Sequence, residues 1–509
     1  MRFFNTAGPC NPDKHYMIPA ASRFGEDVDI WRLISQEAYF VIHAPRQVGK
    51  TTTMLQLAQD LTASGQYISV LLSMEVRAAF LNDTETAERA IVQNWANKIQ
   101  EQLPPEFQPS SPSCNVPKGN VICDYLGQWA FVAPRPLALF LDEFDALQDE
   151  VLNSVLPQLR AGYNHRPQGF PSSLALIGLH DVSKRKTRVP FNIVVRSITL
   201  RPFSATETHS LLQQHTSETG QLFTEASMER IYYLTQGQPW LVNALARLCV
   251  EELVTDLVQP VEAIYVDKAK EILIQRRQTH LDALADKLRE PRVRHIIEPI
   301  LAGGTLGDLP RDDVDYVLDL GLVVQENGSG LLIANPIYQE VIPRELASVP
   351  QASLPRMQPV WLNADGSLDP DKLLAAFLAF WRQHGQPLLK AAPYHEIAPH
   401  LVLMAFLHRV VNGGGTLERE YAIGTGKMDL CLRYGAVTVA MELKVWRDGQ
   451  RDPLQQGLEQ LDNYLSGLRL EAGWLVIFDQ RSGLPPISER TETAVAVTPG
   501  NRTVTVIRG

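Results

Sequence analysis

Ala44-Pro-Arg-Gln-Val-Gly49-Lys50-Thr51-Thr52 is the stretch on which the reading of this chain turns. It follows YFVIH (39–43), a short apolar run read as a buried strand. It opens TTTMLQLAQDLTASG (51–65), where Met54, Leu55, Leu57 and Leu61 recur at helical spacing and Gly65 supplies the stop. A strand that turns through a Gly-Lys loop into a helix presents exposed amides and a helix dipole to phosphate oxygens. On this reading Ala44, Pro45, Arg46, Gln47, Val48, Gly49 and Thr52 wrap a nucleotide's phosphates. Lys50 reaches the β- and γ-phosphates and Thr51 ligates Mg2+. Gly49 leaves room for the backbone to approach. Ala44 stands where such loops usually carry their first glycine. Its methyl costs little at negative φ, and about 1–2 kcal/mol if the loop needs a left-handed residue there.

A second motif supports the first. Leu139-Phe140-Leu141-Asp142-Glu143 is an apolar strand ending in two carboxylates. Asp142 is expected to hold Mg2+ directly or through water, and Glu143 to orient or activate the attacking water. Asp145 caps, faces solvent or supports the pair. His180 and Asp181 follow the next apolar run, either as a γ-phosphate sensor or as an ordinary strand-end turn. Lys184, Arg185, Lys186 and Arg188 form a basic run that suits an arginine finger, a nucleic-acid contact or a solvated loop equally.

Runs at 39–43, 67–72, 136–141, 174–179 and 193–200 alternate with helical stretches, among them 84–103. That alternation indicates an α/β fold with a parallel sheet covered by helices. From Ser204, with Glu207 set for a capping box, the pattern turns helical. Helices near 311–321 followed by LVVQENGSGLLIANP suggest a winged-helix-like module. The boundaries read as a P-loop ATPase core at 1–203, a helical lid at 204–284, the winged-helix-like module at 285–345, a proline-containing linker at 346–370 and a C-terminal α/β domain at 371–509.

The N-terminal part resembles the bacterial and archaeal P-loop ATPases related to AAA+ and STAND proteins. The matching pieces are Ala44 to Thr52, Leu139 to Glu143, Leu200-Arg-Pro-Phe-Ser204 with Glu207, and Thr235-Gln-Gly-Gln-Pro239-Trp240. The resemblance implies ATP and Mg2+ as ligands, ATP hydrolysis, and a helical lid and winged helix after the core.

In the C-terminal part, Asp429 lies in MDLCLRY, and Glu442 and Lys444 lie two apart in VTVAMELKV, hence on one face of a strand. Burying a carboxylate and an ammonium there needs a reason. A divalent ion between Asp429 and Glu442 supplies one, and it could activate water at a scissile phosphate. Lys444 would then orient the nucleophile or stabilise developing charge. Gly426-Lys-Met-Asp429-Leu430 with Glu442-Leu-Lys444 resembles the PD-(D/E)XK nuclease superfamily. The resemblance implies a further metal ligand from the preceding helix, best matched by Glu396, and a glutamine on the following helix, Gln456 or Gln460. Met428 departs from the usual proline. Glu420 and Tyr421, just before the glycine turn, either support the site from behind or are merely exposed. Trp446, Arg447 and Arg451 could contact a nucleic-acid backbone, while Trp474 reads as core.

The whole reads as an ATPase coupled to metal-dependent cleavage of nucleic acid, with DNA preferred. The alternative is an ATP-driven regulatory or scaffold protein whose nuclease-like domain binds nucleic acid or protein without cutting. A homo-oligomer is compatible with either. The net charge of -10 argues against a chain coated in basic patches, though contact sites are local. Five scattered cysteines, 10, 114, 123, 249 and 431, have no metal-ligand spacing and suit a reducing cytoplasm. The N-terminus lacks a signal-like apolar run, and no window suits a membrane span.

Overall fold

The computed structural model describes residues 1–25, 28–75, 83–180, 192–276, 279–301, 309–326, 330–353, 358–391, 398–411, 414–423 and 426–509. They divide into two compact units, Met1–His280 with Asp315–Gln325, and Leu281–Val314 with Glu326–Gly509.

The first unit is built on α1 (Ile30–Ser35), β1 (Tyr39–His43), α2 (Lys50–Ala63), β2 (Ile68–Ser73), α3 (Thr84–Gln102), α4 (Val121–Val132), β3 (Leu137–Asp142), α5 (Asp149–Tyr163), β4 (Ser173–Gly178) and β5 (Val194–Thr199). Its five strands are all parallel, in the order β2-β3-β4-β1-β5. Alternate residues of a strand point to opposite faces. Tyr39 and Val41 therefore join Trp95 and Trp129 in one core, while Phe40 and Ile42 join Met54, Leu57 and Leu61 of α2 in the other. Both faces are covered over β1 to β4, which is why those strands read as continuous apolar runs, whereas β5, at the sheet edge, is mostly exposed. Leu55 is half-buried and packs against the edge of the same core. The strands fall within a residue or two of their expected positions. Helices α4 and α5 were not anticipated. The first is apolar nearly all round, so its period is faint, and the second carries Pro157 inside it.

A helical lid follows: α6 (Ala205–Thr219), α7 (Glu225–Thr235), α8 (Pro239–Leu248) and α9 (Ala263–Gln275). The capping box read from Ser204 and Glu207 is present in full, and Arg201 is paired with the same glutamate at 2.6 Å. Next along the chain come α10 (Thr279–Lys287), α11 (Pro291–Leu301), α12 (Arg311–Asp319), β6 (Val323–Glu326), β7 (Gly330–Ile333) and α13 (Pro336–Ser353). The segment 285–345 does not group as one compact unit, because the division falls inside it. Residues 346–353, read as the start of a linker, continue α13.

The C-terminal part comprises α14 (Pro370–Ala391), α15 (Ala398–Val411), β8 (Gly415–Ile423), β9 (Gly426–Tyr434), β10 (Val437–Trp446), α16 (Leu454–Leu468), β11 (Ala472–Asp479), α17 (Ile487–Arg490), β12 (Glu492–Val497) and β13 (Thr503–Arg508). The sheet order is β12-β13-β11-β10-β9-β8. Strands β8 to β10 form an antiparallel meander, and β11 runs parallel to β10. Met441 and Leu443 enter a core with Trp361, Trp381 and Phe406, whereas Ala440 enters the opposite one with Leu461 of α16. Trp361 and Leu368, inside the expected linker, are thus core residues. Strands β12 and β13 were not anticipated; most of β12 is exposed, so its sequence carries no strong apolar pattern.

Candidate functional site

The loop from β1 to α2 has the form its sequence implies. Gly49 caps α2 with φ 88°, a left-handed conformation, and Gln47 takes φ 60°. Ala44 is fully buried and is not among the positive-φ residues, so its methyl costs the backbone little. Its N–H donates to the Gly178 carbonyl at 3.3 Å. Lys50 folds back on the loop, its Nζ donating to the Ala44 and Pro45 carbonyls at 2.6 and 2.9 Å. Burial brings this ammonium down to about 8, against the opposing pull of Asp142. Both loop carbonyls are neutral acceptors, weaker partners for an ammonium than a charged oxygen.

Asp142 closes the other side. The Thr51 hydroxyl donates to Asp142 Oδ2 at 2.9 Å, and the Glu143 N–H donates to Oδ1 at 2.8 Å. Burial raises the Asp142 carboxyl above its ordinary range, although these two hydrogen bonds oppose the rise. Glu143 sits at φ 58° just past the strand, and the Ser73 hydroxyl at the end of β2 donates to its Oε2 at 2.5 Å. The Trp95 indole donates to the Ser73 carbonyl, fixing that strand end. Asp145 accepts the Leu179 N–H and so caps the end of β4. A cavity of about 510 Å³ adjoins the pair, lined by Pro9, Thr51, Leu55, Trp95, Asp142 and Glu143 among others.

The lid is tied to this loop by the two later motifs. The Phe203 N–H donates to the Gly237 carbonyl at 2.8 Å. A Cβ at Gly237 would stand 1.8 Å from the Phe203 carbonyl oxygen, and its φ is 73°, so only glycine fits. Gln238 caps α8 through Leu241 N–H, and its Nε2 reaches the Gln47 carbonyl at 3.4 Å.

Several residues at the site were not singled out from the sequence. Arg23 is buried beside Gly49 and donates to the Val48 and Arg201 carbonyls at 3.0 and 2.7 Å. Burial lowers its guanidinium to about 10. His180 is bonded through Nδ1 to Asp319 at 3.0 Å, and His43, the last residue of β1, approaches the same carboxylate at 3.6 Å. Burial works against the Asp319 charge, but the His180 hydrogen bond and the nearby His43 outweigh it and hold the carboxyl at about 2. Asp319 lies far along the chain and had no local motif. Ser73 had only its position at a strand end. Asp181, Lys184, Arg185, Lys186 and Arg188 lie outside the described residues.

In the C-terminal sheet, Glu442 is buried and Lys444 Nζ donates to its Oε1 at 2.6 Å. Both sit on the β10 face covered by α16. Gln460 of that helix carries a buried Oε1 without a hydrogen-bond partner among the described residues. Glu396 and the side chains of Glu420, Tyr421 and Asp429 lie outside the described residues, although the backbone of Asp429 belongs to β9. Among the described residues no group of three or more His, Cys, Asp and Glu side chains is arranged to hold a metal ion. Trp446 is covered by the Arg481 guanidinium, 3.5 Å from its ring centroid, and Trp474 is core. Among the described residues no helix is long and apolar enough to cross a membrane.

A parallel sheet in which one strand separates the phosphate loop's strand from the Asp142–Glu143 strand, with a helical lid bonded to the loop, defines a P-loop ATPase. The chain belongs to the AAA-like domain family, which it matches over residues 23–339. No curated protein matches it. Among solved structures it is similar to the Walker-type ATPase PABY2304 of Pyrococcus abyssi, at 15% identity and TM-score 0.46, over 66% of this chain and 98% of that one. RuvB of Thermotoga maritima is similar at 14% identity and TM-score 0.35, over 62% and 95%. The Orc1 protein of Aeropyrum pernix, in complex with DNA, is similar at 14% and 0.35, over 64% and 92%.

Proposed function

We propose that this chain binds ATP with Mg2+ on the loop Ala44–Thr52 and hydrolyses it with Glu143 as the residue that orients the attacking water. The carrying observation is the 2.9 Å bond between Thr51 and Asp142, which brings the two expected Mg2+ ligands to one point. A hydroxyl and a carboxylate beside phosphate-facing amides fit a hard, oxygen-seeking cation. When bound, Mg2+ neutralises charge on the β- and γ-phosphates. The chain's own part is to exchange neutral partners for charged ones. Lys50 leaves the Ala44 and Pro45 carbonyls for phosphate oxygens. Glu143 leaves Ser73 and takes up a hydrogen bond from water. Calorimetry with Mg-ATP and a phosphate-release assay test this. Lys50→Ala should lose most affinity, and Glu143→Gln should bind but not turn over. Binding by Lys50→Ala equal to that of the natural protein would sink the reading.

A second reading concerns the C-terminal sheet. We infer that Asp429, Glu442 and Lys444 act on nucleic acid, with a divalent ion held by Asp429, Glu442 and Glu396, and that the ATPase governs access to them. What supports it is a buried Glu442 bonded to Lys444, an orphaned Gln460 amide oxygen on the same face, and the order α15, β8, β9, β10, α16, β11. A version that binds nucleic acid or protein without cutting shares these features and differs in giving no cleavage of DNA or RNA with Mn2+ or Mg2+.

A further inference from the structure

Arg23 belongs to a short 3-10 turn, Ala20–Phe24, behind the phosphate loop, and no step of the proposed hydrolysis uses it. Its side chain is held from several directions, and the residue is only 3% exposed. One terminal nitrogen, Nη2, donates both to the Val48 carbonyl of the loop and to the Arg201 carbonyl of the connection that leads into the lid. The other, Nη1, stands 3.3 Å from where a Cβ on Gly49 would project. The guanidinium also lies over the Phe203 ring, 4.6 Å from its centroid. The connection returns the grip, since Arg201 Nη2 donates to the Ser22 carbonyl at 2.9 Å.

These contacts fix the side chain but leave its charge unanswered. Its partners are two neutral carbonyls and an aromatic face, and Nε has no hydrogen-bond partner among the described residues. Among the described residues no carboxylate pairs with it: Glu207, the acid that acts on it from a distance, is bonded twice to Arg201, at 2.6 and 3.0 Å. A buried cation bonded only to neutral groups costs stability. Its position adds to that cost. Gly49 is the N-cap of α2, a helix of 14 residues, and a helix carries partial positive charge at its N-terminus. Lys50, one residue on, is likewise bonded to carbonyls alone. The free loop thus gathers two cations and a helix start, an arrangement that an anion would complete.

The bond to Val48 also sets the direction of an amide. The Val48 carbonyl and the Gly49 N–H belong to one trans peptide, in which the two groups point opposite ways. Drawing the carbonyl back toward Arg23 turns the Gly49 N–H outward, away from the guanidinium. We propose that Arg23 is a positioning residue of the phosphate site, aiming the Gly49 amide and supplying from behind the loop a fixed positive charge whose counter-ion is the bound polyphosphate. This rests on the nucleotide reading above. The clasp with Arg201 and the Phe203 ring keeps the charge in place before the anion arrives, so that little reorganisation accompanies binding.

Two substitutions in the full chain separate charge from shape. Arg23→Lys keeps a charge and a donor, whereas Arg23→Gln keeps a donor without the charge. In calorimetry Arg23→Lys should bind Mg-ATP within about threefold of the natural protein, and Arg23→Gln more weakly by about tenfold or more, the scale of one nearby unit charge. The loss in Arg23→Gln should shrink from Mg-ATP to Mg-ADP and be smallest for AMP, as the charge on the ligand falls. Tripolyphosphate, which has the charge and no nucleoside, should lose as much as ATP when used as a competitor. A lysine buried at 23 would give up its proton without an anion and regain it with one. Arg23→Lys should therefore take up more protons than the natural protein on binding Mg-ATP at pH 9, a result that a merely structural role would not produce. If Arg23→Gln does not fold, this proton uptake decides alone. Equal losses for ATP, ADP and AMP, natural affinity in Arg23→Gln, an Arg23→Lys protein no better than Arg23→Gln, or unchanged proton uptake would each overturn the proposal. If the natural protein binds none of these ligands, the nucleotide reading itself falls.

Discussion

Thr51 and Asp142, 91 residues apart in sequence, share a hydrogen bond of 2.9 Å across the strand that separates β1 from β3. On the proposed reading these are two Mg2+ ligands already converged, so that little reorganisation would precede binding.

The first prediction follows from that convergence. Asp142→Asn keeps the shape and the Thr51 bond but removes the charge that a divalent ion requires. Nucleotide binding without metal should change little, while Mg2+-dependent turnover should fall by roughly 100-fold or more, the scale on which one preorganised electrostatic partner counts. Isothermal titrations with and without Mg2+, alongside steady-state hydrolysis, separate the two effects. An Asp142→Asn protein with normal metal-dependent turnover would remove Asp142 from the site.

The second concerns pH. Burial disfavours the charged form of Lys50, so in the free protein the proton leaves near pH 8 rather than 10.5. Phosphate oxygens bond the charged form, and binding therefore restores the proton. Affinity for Mg-ATP should be flat below about pH 8, then fall by up to about tenfold per unit toward the ordinary lysine range. Calorimetry in buffers of different ionisation enthalpy should record net proton uptake at pH 9 and little at pH 7. A flat affinity from pH 7 to 10 would mean that Lys50 is not the phosphate partner.

The third concerns Asp319. With its carboxyl held at about 2 by His180 and His43, the folded form favours the charged aspartate. That stability is complete above the ordinary carboxylate range near 3.8 and is lost as pH falls through about 2. The shift corresponds to roughly 2 kcal/mol at neutral pH. Asp319→Asn should therefore loosen residues 315–325 locally. Amide hydrogen exchange at Leu320 and Gly321, whose N–H groups bond the Tyr316 and Leu318 carbonyls, should quicken by about tenfold or more. Gly321 presses on Pro45, where a Cβ would stand 2.5 Å from the proline ring, so Gly321→Ala should also lower nucleotide affinity. Unchanged exchange in Asp319→Asn would show that the histidine contacts carry no weight.

The ease with which this site was read from sequence has a physical cause. Lys50, Thr51, Asp142 and Glu143 belong to short local patterns: an apolar strand, a turn that demands glycine, and carboxylates at a strand end. Each pattern survives in isolation. Gly237 belonged to a recognisable motif, but its reason, the close approach of the Phe203 carbonyl, is a contact between segments and has no local trace. Arg23, Ser73 and Asp319 are of that second kind throughout. A single arginine, serine or aspartate has no period or spacing, and its role exists only once the fold brings a partner to it. The same limit hid α4, whose apolar residues leave no polar face to set a period.

The last prediction falls on the C-terminal sheet. Glu442 is buried with Lys444 bonded to it, an arrangement that stabilises a fold only weakly, since desolvation offsets much of the attraction between buried charges. If the pair were structural, Glu442→Gln with Lys444→Met would leave the fold intact, and no metal-dependent property would exist to be lost. If it serves phosphodiester cleavage, the natural protein should cut plasmid or single-stranded DNA in Mn2+ or Mg2+. Asp429→Ala and Lys444→Ala should then each abolish cutting while leaving ATP hydrolysis in place. Cutting that survives both substitutions would reject this site. ATP turnover with no cleavage of DNA or RNA in either metal, together with retained nucleic-acid binding, would favour the form that binds without cutting. The variants separate these outcomes because the carboxylates and Lys444 lie outside the nucleotide loop, so a loss of ATP hydrolysis in them would point to misfolding rather than to lost chemistry.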